Sequence, residues 1–336
     1  MPVTLAEIAR RVGVDVSLVS RVLRDDASAK LSPTKRAQIL EVAKATGYRP
    51  NRLGRSLRTG RTSIIGMLSP DIANVNHAVM FRGIEAAAAA AGYDTILTNT
   101  EDSPERLKEV ISVLSEGHVD GLLVATAKAN DETIDWLAKS GVPYLLVNLR
   151  RDQDDDLWIG PDDFQAGRLG ASHLLELGHR RIAFLLPDLE VGNHLHRLSG
   201  IKAALAEFDC DPGQCWIKTD IGDRASGKRC VQGLLALPPS ERPTAICALQ
   251  TMLADAVVHA TYRSGFRMPG DVSVVGYTTS SEPDFTCIHV PLDEIGRLAT
   301  ETLIKMLNGE RGLVSLSDQK IAVRLIDMGS TAAPPE

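Results

Sequence analysis

The chain has 336 residues, 44% of them hydrophobic and 24% charged, with a formal net charge of −6 and a pI near 5.8. That is enough chain for more than one core, and no apolar run approaches the ~20 residues of a membrane span. The five cysteines are odd in number and form no Cys-x-x-Cys pair, and Met1-Pro2-Val3-Thr4 does not open a signal peptide, so reduced thiols in a cytosol are expected rather than a secreted disulfide scaffold. Residues 1–62 hold 13 Lys and Arg against 5 acids, a net of +8, which leaves −14 for the rest. A polyanion attracts the first part and is repelled by the second, so one end is expected to bind nucleic acid while the other does something else.

In the head, Thr4-Leu5-Ala6-Glu7 reads as a capping box, the Thr4 hydroxyl accepting from the Glu7 amide and the Glu7 carboxylate reaching back, with Val3 and Ile8 as a hydrophobic staple. A first helix starts at Leu5, buries Ile8, Ala9 and Val12, and breaks at Gly13. A second spans about 16–23 behind an Asp15 cap, with Val19, Val22 and Leu23 inward. Ser32-Pro33 opens a third as N-cap and first-turn proline, and Ile39, Leu40, Val42 and Ala43 are expected to close a small core. Residues 1–48 thus read as a helix-turn-helix. Its second helix offers Val16, Ser17, Ser20 and Arg21 to a major groove, where Arg21 carries the donors for a bidentate guanine contact; Thr4 is counted with this DNA-facing set.

Residues 49–62 follow as a basic segment. Pro50 stops the third helix, and the helical spacing beyond it has only Leu53 and Leu57 to bury, too little for an isolated helix. Asn51, Arg52, Gly54, Arg55, Leu57 and Arg58 suit a hinge that orders in a minor groove, with an apolar wedge opening a base step.

From Ser63 on, β-rich and helical runs alternate: strands near 64–68, 95–98, 121–124 and 144–147 with helices near 78–91, 105–114 and 132–139 between them. A second set repeats the rhythm, with helices near 164–177, 198–207, 225–237 and 252–264 and strands near 181–186, 245–248 and 272–275. The expected fold class is α/β: a helix-turn-helix head on a core of two lobes, each a parallel doubly wound sheet, the first over about 63–160 plus 290–320 and the second over about 161–289 plus the C-terminal segment. Facing lobes make a cleft beyond the carboxyl ends of the strands. The polar candidates there are Asp71, Asn74, Asn76, His77 and Asn148 from the first lobe and Asp162, Asn193, Arg197, Gln250, Thr251 and Thr278 from the second; such a set suits a polyhydroxylated or anionic small molecule.

The stretches VTLAEIARRVGVDVSLVSRVLRDD and LSPTKRAQILEVAKATGYRPNRLGRSLRTGRTSIIGMLSPDI resemble the bacterial lactose/galactose repressor (LacI/GalR) family, and the likeness continues through DGLLV, VPYLLVN, ASHLLELGHRRIAFL, GFRMPGDVSVVGY and PLDEIGRLATETLIKMLNGE. The resemblance implies a periplasmic-binding-protein-like core, base reading by Val16, Ser17 and Arg21, a lever role for Leu57 and a ligand-gripping role for Arg197. It also exposes departures. Gly54 stands where the hinge usually has alanine, Gln250-Thr251 replaces Asn-Asp, Thr278-Thr279 replaces Asp-Asp, and Gly222 stands in place of a stacking aromatic. The loss of carboxylate and ring beside a retained arginine leads to the expectation of an anionic ligand, a sugar acid or phosphate rather than a neutral sugar.

His194 and His196 read as a polar loop pair rather than metal ligands, and no metal or cofactor is expected. No Gly-x-Gly-x-x-Gly, Walker loop, Gly-x-Ser-x-Gly or His-Glu-x-x-His is present, so no enzyme is expected. The reading is a cytoplasmic homodimeric transcriptional regulator, a repressor on a palindromic double-stranded operator, controlled by a small-molecule effector in the cleft. An activator or effector-independent regulator of the same build, and an α/β enzyme with an accessory head, are the alternatives.

Overall fold

A computed structural model describes residues 3–23, 30–48, 56, 59–101, 103–125, 131–149, 157–189, 192–219, 221–310 and 320–335. The chain forms two compact units, Met1–Thr62 and Ser63–Glu336.

The first unit holds helices α1 (Leu5–Val12), α2 (Val16–Val22) and α3 (Pro33–Ala45). Their starts are set by side-chain caps: Thr4 accepts from the Glu7 amide, Asp15 from Ser17 and Ser32 from Lys35. Half of the expected capping box is different. The Glu7 carboxylate pairs with Arg10 and Arg11 one turn along the helix, because two cations outcompete a single backbone amide. Gly13 ends α1 in the left-handed conformation at φ 69°, and Lys35 Nζ donates to the Val12 carbonyl at 2.6 Å, closing a helix end and tying α3 to α1. Ile8, Ala9, Val12, Val19, Val22, Ile39 and Ala43 form the core. Leu40 was expected among them but is 49% exposed. Ile39 and Ala43 lie four apart on the face meeting α1 and α2, and the next residue turns away by about 100°.

The second unit is built from β1 (Ile64–Ser69), α4 (Val75–Ala90), β2 (Asp94–Asn99), α5 (Pro104–Ser115), β3 (Gly121–Val124), α6 (Asp131–Lys139), β4 (Tyr144–Val147), β5 (Trp158–Pro161), α7 (Asp163–Glu176), β6 (Ile182–Leu185), α8 (Gly192–Glu207), β7 (Trp216–Lys218), α9 (Arg224–Leu235), β8 (Ala245–Ala248), α10 (Thr251–Arg263), β9 (Ser273–Thr278), β10 (Cys287–His289), α11 (Leu292–Leu307), β11 (Lys320–Ile321) and β12 (Arg324–Ile326). One sheet has the order β11-β5-β4-β3-β1-β2 and the other β12-β10-β9-β8-β6-β7. The pairs are parallel except β10 with β12. The chain passes from the first sheet to the second after β5, returns after β10 for α11, and crosses again between β11 and β12.

β5, β7, β10, β11 and β12 had no signal in the sequence. They are two to four residues long, and so short a strand is defined by the neighbour it pairs with rather than by its own pattern. α8 also starts earlier than expected, at Gly192, because its first turn carries polar residues that give no apolar stripe. α7 and α8 pack at backbone distance. A Cβ on Gly167 would fall 1.9 Å from the Arg197 carbonyl oxygen, and one on Gly200 would fall 2.0 Å from that of Phe164, so only glycine permits this approach. The approach brings the start of α7 beside Arg197.

Candidate nucleic-acid interface and effector cavity

On the head, Val16, Ser17 and Arg21 are exposed on the outer face of α2 and Ser20 is half-buried beside them, while Val19 and Val22 face the core. Thr4 is exposed at the start of α1, its hydroxyl occupied with the Glu7 amide. Arg10, Arg11 and Lys35 are committed to bonds within the head, which reduces the cationic surface counted from sequence. Asn51, Arg52, Gly54, Arg55, Leu57 and Arg58 lie outside the described residues.

In the second unit, a cavity of about 640 Å³ is lined from both lobes. The first lobe contributes Asp71, Asn74, Asn76 and His77 after β1 and Asn148 after β4; the second contributes Asn193 and Arg197 from α8, and Gln250 and Thr251 after β8. Asn193 and Arg197 lie four apart on one face of a helix, both buried, where the sequence reading had a loop. His194 and His196 are on the same helix and not in a loop. Asp162 and Thr278 are not lining residues: Asp162 caps α7 by accepting from Gln165 at 3.1 Å, and the Thr278 hydroxyl accepts from the Ser280 amide at 3.1 Å.

Arg197 is the centre of a buried network. Its Nε donates to Asp163 Oδ1 at 2.7 Å, one terminal nitrogen to the Leu249 carbonyl at 2.8 Å and the other to the Tyr277 hydroxyl at 2.9 Å, with the guanidinium 4.3 Å from the Tyr277 ring centre. Burial opposes the Arg197 charge, but Tyr277 and Asp163 outweigh it and hold the pKa above the ordinary guanidinium value. Burial pushes the Tyr277 hydroxyl up as well, so it stays protonated. Among the described residues three of the five guanidinium N–H groups are engaged, and the other two remain as donors. Asp163, Tyr277, Arg224 and Asp255 were not among the sequence candidates. Asp163 gave a local signal only as a first-turn acid of α7; its partner is 34 residues away and is delivered by the α7–α8 contact.

Among the described residues, side-chain hydrogen bonds cross between the lobes at two places in the cavity lining. Thr251 Oγ1 meets Asn76 Oδ1 at 3.2 Å, and the Asn193 amide donates to the Asn148 carbonyl at 3.0 Å. Asn148 holds a left-handed φ of 53°, a conformation asparagine tolerates better than most residues. Gln250 Oε1 is buried in the lining without a partner among the described residues, an acceptor left for a ligand donor.

Residues 4–51 match the description "Bacterial regulatory proteins, lacI family", and residues 171–331 match "Periplasmic binding protein-like domain". Among curated relatives, catabolite control protein A of Priestia megaterium is 30% identical over 316 residues, covering 92% of this chain and 94% of its own length. The chain belongs to the lacI family of bacterial regulatory proteins. The HTH-type transcriptional repressor PurR of Mannheimia succiniciproducens is 28% identical over 90% of the chain and 92% of its own length. The Lac repressor dimer bound to operator and the anti-inducer ONPF shares the fold, with a TM-score of 0.85, 24% identity, and coverage of 99% of this chain and 100% of that one.

For this lacI-family member, the structure changes the charge argument made from sequence. Arg197 is not spare positive charge, because Asp163 neutralises it at contact distance. His194 does not add to it either: burial, and then Arg197, lower its pKa to about 4, so the ring is neutral near pH 7 with Nδ1 bonded to the Asp188 carbonyl. Asp71 and Asp255 stand in the lining against Arg224. The lining therefore has no excess of positive charge, with the carboxylates of Asp71 and Asp255 beside Arg224 and the already paired Arg197.

Proposed function

We propose that the chain is a homodimeric, sequence-specific transcriptional repressor whose core responds to a small polyhydroxylated effector. The carrying observation is the combination of a capped helix-turn-helix, presenting Val16, Ser17 and Arg21 outward, with a two-lobed unit enclosing a polar cavity. The relatives named as a control protein and a repressor, and the operator-bound dimer of like fold, support the reading. Two recognition helices related by a two-fold axis read the halves of a near-palindromic site, and the basic segment at 49–62 grips its centre. Neutral amides, Thr251, the two carboxylates Asp71 and Asp255 and the open acceptor of Gln250 suit hydroxyl groups, while the neutralised Arg197 fixes orientation. An effector acts by binding the open and closed arrangements of the lobes unequally. The activity is binding without turnover, in the cytoplasm where operators lie. Among the described residues no helix is long and apolar enough to cross a membrane.

The test is a genome-wide footprint followed by titration of the recovered palindrome across a salt series. Affinity falls steeply with salt, each Lys or Arg phosphate contact adding about 0.9 to the slope of log K against log salt. Arg21→Ala loses about 1–3 kcal/mol on the cognate site and much less on random DNA. Transcription of the adjacent genes rises when the gene is deleted. DNA binding that survives removal of residues 1–62 overturns the assignment.

The cross-lobe bonds favour one second reading, an effector-independent regulator whose lobes hold each other closed. Thermal-shift screening against neutral sugars, sugar acids and sugar phosphates separates the two, since a ligand specific to the folded core raises its melting temperature.

A further inference from the structure

The fold brings together two of the five cysteines that the sequence presents as separate thiols. Cys210 follows α8 and Cys215 precedes β7, with the 3-10 turn Pro212–Gln214 between them. The turn doubles the chain back so that both thiols donate to one acceptor, the Arg180 carbonyl oxygen, 3.8 Å from Cys210 Sγ and 3.4 Å from Cys215 Sγ. Sharing that acceptor sets the two sulfurs beside each other, close enough for Cys210 to raise the Cys215 pKa. Both backbones are pinned, the Cys210 amide to Leu205 at 2.9 Å and the Cys215 amide to Pro212 at 3.1 Å. Cys210 is 4% exposed, whereas Cys215 is only half-buried.

We propose that Cys210 and Cys215 are an oxidisable dithiol, closed to an intrachain disulfide by a hydroperoxide. The turn has already made the approach, so forming the bond costs little further ordering. Cys215, the accessible partner, gives its thiol proton to solvent, and the thiolate attacks one oxygen of hydrogen peroxide. The O–O bond breaks, the departing hydroxide takes up a proton as water, and the sulfur is left as a sulfenic acid. The Cys210 sulfur then attacks that sulfur, the S–O bond breaks, and a second water leaves with the Cys210 proton. Two thiols and one peroxide become one disulfide and two waters.

Selectivity comes from position. Cys247 in β8 and Cys287 in β10 are buried, and burial pushes their thiols up to about 12 and about 11. Cys215 is pushed up to about 11 as well, by burial first, opposed by the Ile182 backbone, with Cys210 and the Asp211 carboxylate adding to the rise. Thiolate is therefore scarce at neutral pH, and the first step is slow and accelerates with pH. The pair sits at the end of α8 whose other end carries Asn193 and Arg197, so the disulfide fastens the base of the ligand-lining helix to the edge strand β7.

Full-length protein is treated with hydrogen peroxide at pH 7 and pH 9, denatured, alkylated and digested with trypsin. The segment between Lys202 and Lys218 is expected to lose two hydrogens and to resist alkylation until reduced, faster at pH 9, while Cys230, Cys247 and Cys287 alkylate. The core melting temperature rises by a few degrees and falls back with dithiothreitol. Cys210→Ser traps Cys215 as a sulfenic acid that dimedone labels. Free alkylation of Cys210 and Cys215 after peroxide treatment overturns the proposal, as does a disulfide found between chains rather than within one.

Discussion

Arg197 shows what one buried side chain is asked to do. It touches Asp163 in α7, Leu249 just after β8 and Tyr277 in β9, and each contact offsets part of the cost of holding a charge away from water. Its effect extends to His194 on the same helix, where burial and the nearby guanidinium keep the imidazole neutral. A histidine with a folded pKa of about 4 and an unfolded value of 6.5 adds stability that is fully present above pH 6.5 and is lost as pH falls to about 4. The loss is roughly 3 kcal/mol at most. Urea unfolding of the core, followed by the fluorescence of Trp136, Trp158 and Trp216, should show stability falling between pH 7 and pH 4.5, and His194→Asn should flatten that slope. An unchanged slope in the variant removes His194 as the titrating group. His173 and His179, also lowered by burial, supply a background of the same sign in both proteins.

At the scale of elements, the α7–α8 contact places Asp163 against Arg197, and glycine makes it possible. Gly200→Ala sets a methyl 2.0 Å from the Phe164 carbonyl oxygen, so the helices must separate. The expected cost is about 1–3 kcal/mol, with weaker effector binding as the ion pair loosens. Gly233→Ala is the control. It lies mid-helix in α9 with nothing within 4 Å of the added carbon, and should stabilise by about 0.5–1 kcal/mol. Melting temperatures moving in opposite directions for the two variants support the close-packing account; equal shifts contradict it.

For the whole molecule, the division between a cationic head and an acidic core keeps attraction to a polyanion in the head, while the core carries the effector cavity. The bonds Thr251–Asn76 and Asn193–Asn148 bias the core toward closure before any ligand arrives, each by about 0.5–1.5 kcal/mol. Thr251→Val combined with Asn193→Ala should widen the ligand-free cleft, seen as a longer distance between spin labels on α5 and α9. It should also change operator affinity, because the proposed control acts through the arrangement of the lobes. Identical distance distributions for the two proteins would show that these bonds do not set closure.

Local chemistry made the head and the long elements legible from sequence. Ser32-Pro33, Asp15 and Gly13 act within a few residues of themselves, so caps and breaks can be read from the chain, and the runs in β1, β3, β4, β8 and β9 carry enough apolar residues to announce buried strands. Nine of the eleven cleft candidates line the cavity for a related reason: in a parallel sheet every strand delivers its following loop to the same edge. Other features depend on residues far apart in sequence. Leu40 is exposed because of where α1 and α2 press on α3. Asp163 neutralises Arg197, and so removes the argument for an anionic ligand, only because two glycines let their helices touch. Burial, ion pairing and the meeting of Cys210 with Cys215 at one carbonyl are properties of neighbours in space, and the tertiary structure alone decides which neighbours those are.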